Sequence, residues 1–250
     1  MPHFHLHWIL ISLLPHSGAA AADGDWSGKG EAGFVMARGN SETDTGNAKV
    51  EIAYERRKWK QSLQGSGLYG TSNEIKSGER WDARWQTDYK FSDRTFVFLA
   101  MRYEQDHFSG FDYQSSATTG LGHKFIDSER TRLTGSLGGG YGHLRPEQLI
   151  KDDTGNVIQR IKGEPTKDVV GNAGVDYEQQ ITSNTKLIDR LLVEWGPDNT
   201  FVHNEFAIQV AMTDTFALGF GYGVRHNTEP PPGLARTDRL TTANLVYNFK

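Results

Sequence analysis

The segment EQDHFSGFDY (104–113) sets His107 two residues before Ser109. A serine hydroxyl becomes a nucleophile when a base within hydrogen-bond reach takes its proton and a third group orients that base. Residues i and i+2 of a strand share a face about 6.5–7 Å apart along the backbone, so the two side chains can meet. Asn73, Glu74 and Asp112 are near in sequence, but no motif makes any of them the orienting group. The competing reading is a strand end running into a turn. FSGFD suits a turn, because Gly110 can adopt φ > 0 without steric cost.

Other chemistry-bearing patterns are weaker. GSLGGGYG (135–142) and GFGYG (219–223) contain G-x-G fragments. A dinucleotide fingerprint needs a helix opening at the glycines, and none follows either run, so no cofactor is expected. KDDTGN (151–156) offers Asp152, Asp153 and Asn156 to a cation. The fuller ligand series of a Ca²⁺ loop is missing, and the stretch from Arg145 to Pro165 reads as a polar outer loop. His3, His5 and His7 fall in a segment expected to be cut away, so no metal site is expected there either.

The bulk composition narrows the class. There is no cysteine, hence no disulfide and no thiolate metal site. The net charge of -4 argues against a nucleic-acid partner. Abundant glycine and aromatics with low mean hydropathy fit neither a helical membrane protein nor a disordered chain. WILISLL (8–14) followed by AAA (20–22) reads as a secretory signal, residues 1–22, although histidines stand where lysine or arginine is usual. Beyond it no apolar run approaches the ~20 residues of a spanning helix.

What would position such residues is a repeated two-residue alternation. In WDARWQTDYKF (81–91) the odd positions are Trp81, Ala83, Trp85, Thr87, Tyr89 and Phe91, and the even ones are Asp82, Arg84, Gln86, Asp88 and Lys90. Successive strand side chains point to opposite faces, so one face is aromatic and the other charged. About twelve segments of roughly 10–15 residues show this period. Short connectors such as RRK (56–58), SDR (92–94) and TDT (213–215) alternate with longer ones such as SNEIKSGE (72–79) and NTEPPPGLART (227–237). Tight turns at one end and long loops at the other are the pattern of an outer-membrane barrel. A soluble β protein would bury its apolar face. Long strands, aromatics near strand ends and a densely charged polar face weigh against it.

The expected fold is therefore all-β. It is a single transmembrane antiparallel up-and-down β-barrel of about twelve strands over residues 23–250, in the outer membrane of a Gram-negative bacterium. Its charged face would line the lumen: Arg80, Asp82, Arg84, Asp88, Arg102, Glu104, Asp176, Glu178, Arg190 and Glu194. Both signs interleave, which implies a salt-bridged interior or a weakly selective channel. Its partners would be outer-membrane lipids and, through the C-terminal strand, the barrel insertion machinery. The solute is not specified. Asp189 falls on the lipid-facing register, and a bulge or register shift between Ile181 and Leu191 would remove it from lipid.

WSGKGEAGFVMARGNSETDTGNAKV (26–50) resembles the opening of the YdiY-like salt-induced outer-membrane proteins, domain-of-unknown-function family 481. The matching features are Trp26, Gly28 and Gly33, then a turn at Gly39, Asn40, Ser41 and Glu42. RYEQDHFSGFDYQ (102–114) resembles a second family stretch, with His107 where a larger basic residue is expected. The resemblance spans nearly all of the chain after the signal. It implies an outer-membrane barrel tied by name to salt or osmotic stress, with no established activity. The chain ends NLVYNFK, so Lys250 follows the aromatic that commonly closes such barrels. Outer-membrane lipid hydrolases carry a His-x-Ser pair followed by Asn-Gly, whereas Gly110 follows Ser109 directly. The sequence thus favours a non-enzymatic narrow or occluded pore, with a barrel lipid hydrolase as the alternative.

Overall fold

The computed structural model describes residues 24–37, 43–73, 75–107, 109–152 and 157–249. The 1–22 signal, the Gly39-Asn40-Ser41 turn with Glu42, and Lys250 lie outside the described residues, as do Asp153 and Asn156.

The described chain is all strand and turn. The strands are β1 (Asp25–Ala37), β2 (Thr43–Arg56), β3 (Trp59–Ser72), β4 (Ile75–Lys90), β5 (Thr95–Asp106), β6 (Phe111–Asp127), β7 (Thr131–Lys151), β8 (Val157–Lys162), β9 (Thr166–Gln180), β10 (Thr185–Trp195), β11 (Thr200–Ala211), β12 (Phe216–Asn227) and β13 (Thr237–Phe249). Each pairs antiparallel with its chain neighbour, except that β7 pairs with both β8 and β9. β13 returns to pair with β1, Gly28 opposite Phe249, which closes the ring. Twelve strands form the barrel, and β8 is a thirteenth, hydrogen-bonded only to the far end of β7. Closure leaves no open sheet edge, the condition for strands to cross lipid.

The Arg145–Pro165 stretch is therefore not a plain loop. β7 continues to Lys151 and folds back as β8, with Gln148 opposite Ile161 and Leu149 opposite Arg160. Alternation is weak here: Ile158 and Ile161, on opposite faces, are both exposed, while Glu147 is buried against Arg160. Likewise, most of SNEIKSGE is strand, because β4 begins at Ile75 and a register shift at Gly70/Thr71 takes up the irregularity.

The two ends of the barrel differ. At one end strands join through 57–58, 91–94, 128–130, 181–184 and 212–215, and both chain ends of the ring lie there. Arg57 takes a left-handed backbone (φ 52) in the tightest of these turns. At the other, outer end the longest link is 228–236, and the β7–β8 hairpin projects there. Large apolar side chains cover the outside, among them Trp59, Leu63, Leu99, Met101, Leu137 and Tyr141. Stacked and edge-on ring pairs such as Trp81–Tyr103 and Trp59–Tyr89 mark aromatic zones toward the two ends. A soluble protein would not expose so continuous an apolar surface. Lipid accepts it.

Asp189 keeps the lipid-facing register. The β9–β10 and β10–β11 ladders run without a shift, Asp189 lying opposite Tyr177 and Phe206. The expected bulge is absent. Instead Asn204, on the same outer face, donates to the Asp189 carboxylate at 2.6 Å. A side-chain amide relieves the exposed charge more locally than a distorted ladder would.

Candidate functional site

The inward register of β4 and β5 follows from their pairing, Asp82 opposite Glu104 and Arg84 opposite Arg102. The structure turns Arg80, Asp82, Arg84, Asp88, Arg102, Glu104, Asp176, Glu178, Arg190 and Glu194 to the lumen. It joins half of them, Asp82, Arg102, Glu104, Arg190 and Glu194, by ion pairs that cross it as chords.

The outer belt is the tighter. Arg225 of β12 reaches across the ring to Glu104 of β5, and its other amine meets Asp82 of β4 at 2.8 Å. Arg102 holds Glu194 of β10 through Nε at 2.9 Å and Nη2 at 2.6 Å, a two-pronged contact. Ser116 donates to the other Glu194 oxygen at 2.6 Å. The guanidinium of Arg102 lies over the Phe201 ring, 4.3 Å from its centroid. Buried charges persist only when paired and hydrogen-bonded, and these are both.

A second belt lies nearer the short-turn end. Arg190 of β10 grips Glu51 of β2 at 2.5 and 3.1 Å. It also lies 3.7 Å from Asp176 and 4.0 Å from Glu178. Lys49 meets Glu205 of β11 at 2.5 Å, and Lys29 meets Glu31 at 2.7 Å. Asn47 donates to Asn244 at 3.0 Å across the β1 position. Arg84 and Asp88 are linked through Gln86, at 2.8 and 2.7 Å. Asp176 is 63% exposed although it points inward, so its carboxylate is accessible to solvent.

Several lumen residues were not singled out from the sequence. Glu205 completes the inner belt. Phe98, Phe201 and Val246 are among the most buried side chains and sit on the polar face of their strands. The alternation shows Phe98 and Ala100 sharing a face with Arg102 and Glu104. On that face they are buried inside the ring.

Small residues let the wall close tightly. A Cβ on Gly120, Gly138 or Gly140 would run into the backbone of the facing strand, β7 or β6. The glycine run thus permits a close strand approach, with Gly138 opposite Gly120 and Gly140 opposite Thr118.

The outer mouth is roofed. The β12–β13 link sends Pro231 and Leu234 onto Gly110, in the β5–β6 turn on the opposite side of the ring. Gly110 has φ 83, so both backbone and crowding require glycine there. Asn227 ties this link to Asn199 at 2.7 Å and to Gln114 at 3.3 Å. From the third side, the β7–β8 hairpin places Glu147 N–H on Gly110 O at 2.7 Å and Arg160 on His107 O at 3.0 Å. Glu147 and Arg160 pair at 2.7 Å.

His107 and Ser109 sit within this roof. The Ser109 hydroxyl donates to the Asp106 carbonyl at 3.1 Å. The His107 ring approaches Glu79 at 3.9 Å, and its Nδ1 is buried without a partner. The structure does not bring the two side chains into a hydrogen bond. Among the described residues no group of three or more His, Cys, Asp or Glu is placed to hold a metal.

A closed antiparallel ring, apolar outside and charged within, defines a porin-like β-barrel of the outer-membrane type. The family model described as "Protein of unknown function, DUF481" matches residues 30–249, and the chain belongs to that family. It is 25% identical over 231 residues to the "Uncharacterized protein YdiY" of Escherichia coli (strain K12), covering 92% of this chain and 86% of that protein. Among solved structures, the NanC porin is 13% identical with a TM-score of 0.48, covering 90% of this chain and 100% of that one. An outer membrane channel from Pseudomonas putida F1 is 10% identical with a TM-score of 0.49, covering 95% and 100% respectively.

Proposed function

We propose that the protein is a non-enzymatic narrow pore of the bacterial outer membrane, held shut in the form described here. The observation that carries this reading is Arg225, which runs from one wall to Glu104 and Asp82 on the opposite wall. The Arg102–Glu194 chord and the roof of Pro231 and Leu234 close the same outer half. Chords of this kind break and re-form without disturbing the wall, because the strand ladders do not depend on them. The solute path would open when the outer belt lets go and the roof lifts.

The test is single-channel recording of the refolded protein in a planar bilayer. Brief, small conductance steps are expected, rising several-fold when residues 229–235 are removed. A bilayer that stays silent with the shortened variant, inserted by an independent assay, would remove the pore reading. The link to salt or osmotic adaptation is supported by the family resemblance alone. It is tested by comparing growth of a deletion strain in low and high salt. Equal growth would remove it.

A further inference from the structure

Inside the ring lies a cavity of about 320 Å³, bounded by β1–β5 on one side and β10–β13 on the other and reaching from the inner belt to Arg80 and Asp106 beyond the outer one. That volume is within the range of small-molecule sites. Most charges on its wall are already matched, as Lys49 with Glu205 and Lys29 with Glu31. Arg239 falls on the outward register of β13, opposite Val224. Of the inward charges, two are held weakly or not at all. Arg80 is 12% exposed, and its one ion pair, to Asp106, is long at 3.7 Å. Among the described residues its guanidinium makes no hydrogen bond. Asp238 is exposed and lies opposite Arg225 in the β12–β13 ladder; among the described residues it makes no hydrogen bond or ion pair, because Arg225 is drawn away to Glu104 and Asp82. Arg80 and Asp238 line the same cavity with no ion pair between them among the described residues.

An arginine fork with free donors matches a carboxylate in two-pronged geometry, and a carboxylate is an acceptor for an ammonium group. Two opposite charges facing one cavity across a gap are complementary to one molecule that carries both. Such a molecule is neutral overall, so it enters without adding net charge to a balanced interior. Joining the two ends in one solute also favours it over separate ions, since the second contact becomes intramolecular. We propose that the cavity binds a small zwitterion, its carboxylate on Arg80 and its ammonium group on Asp238. The site rests on the pore reading only for the solute's access, and binding to it does not require that current pass.

The test is calorimetric titration of the detergent-folded protein with ω-amino acids from glycine to 6-aminohexanoate, beside butylamine and butyrate. One chain length is expected to bind at least tenfold more tightly than either single-ended probe. Arg80→Gln and Asp238→Asn are each expected to weaken it at least tenfold, while Lys124→Gln, outside the cavity lining, leaves it unchanged. Heat-dependent gel mobility checks that each variant folds. The exchange of both charges, Arg80→Asp with Asp238→Arg, is expected to recover part of the binding. Equal binding of butylamine or butyrate, no heat from any zwitterion, or indifference to both single variants overturns the site. Binding by a barrel that never conducts would remove the pore and keep the site. Conduction without binding would do the reverse.

Discussion

Arg102 and Glu194 are 10% and 7% exposed, so neither charge has much water to fall back on. Removing one partner of a buried pair strands the other and costs about 3–5 kcal/mol. Glu194→Leu is therefore expected to lower the unfolding free energy by about that amount, read by urea titration in lipid vesicles. Replacing both residues with leucine should restore much of it. At Ser109 the expectation is the opposite. Its hydroxyl serves one carbonyl, so Ser109→Ala should cost no more than about 1 kcal/mol and change no lipid turnover. Phospholipid hydrolysis by the native barrel, abolished by Ser109→Ala, would establish the hydrolase instead. On the lipid face, Asp189 depends on Asn204. Asn204→Leu alone should destabilise, whereas Asn204→Leu with Asp189→Leu should stabilise, since a charge facing lipid is unfavourable. If the single and double variants unfold alike, the pair is not coupled.

At the scale of the strand, Gly140 of β7 is not interchangeable with Gly30 of β1. A methyl on Gly140 meets facing backbone, which cannot rotate aside, whereas a methyl on Gly30 meets nothing within 4 Å. Gly140→Ala is expected to cost about 1–3 kcal/mol as overpacking, and Gly30→Ala to be close to neutral. Equal midpoints in the same denaturation series would remove the close-approach explanation. The alternation made both strands legible as strands. It does not tell Gly140 from Gly30, because crowding depends on what lies opposite. The β7–β8 hairpin is not legible for a related reason. Its residues lack a clean two-residue period, with Ile158 and Ile161 exposed on opposite faces.

For the whole molecule, the roof and the outer belt lie at the same end of the barrel. Freeing the roof alone should raise conductance less than freeing both. Deletion of 229–235 combined with Arg225→Gln is expected to give longer openings than the deletion by itself, measured as open probability in the planar bilayer. No further gain from Arg225→Gln would mean that the roof is the sole gate. Ring closure gives these effects their scale. Arg225, Glu104 and Asp82 are neighbours only because β12 and the β4–β5 pair stand on opposite sides of a twelve-strand circle.

By itself the sequence determined the class of the fold, because a two-residue period is a local property that any strand long enough to cross lipid must display. It also determined which side chains face inward, since inward and outward alternate residue by residue. Family 481 was legible from the Trp26–Gly33 opening, and DUF481 membership now rests on residues 30–249. Only the tertiary structure decided which inward charge meets which. Lys49 with Glu205 and Arg102 with Glu194 are separated by more than ninety residues in the chain, and their pairing follows from barrel width and register. Nor did the sequence single out Asp238. Its lack of a partner is a consequence of where Arg225 points, and that direction is set from across the lumen.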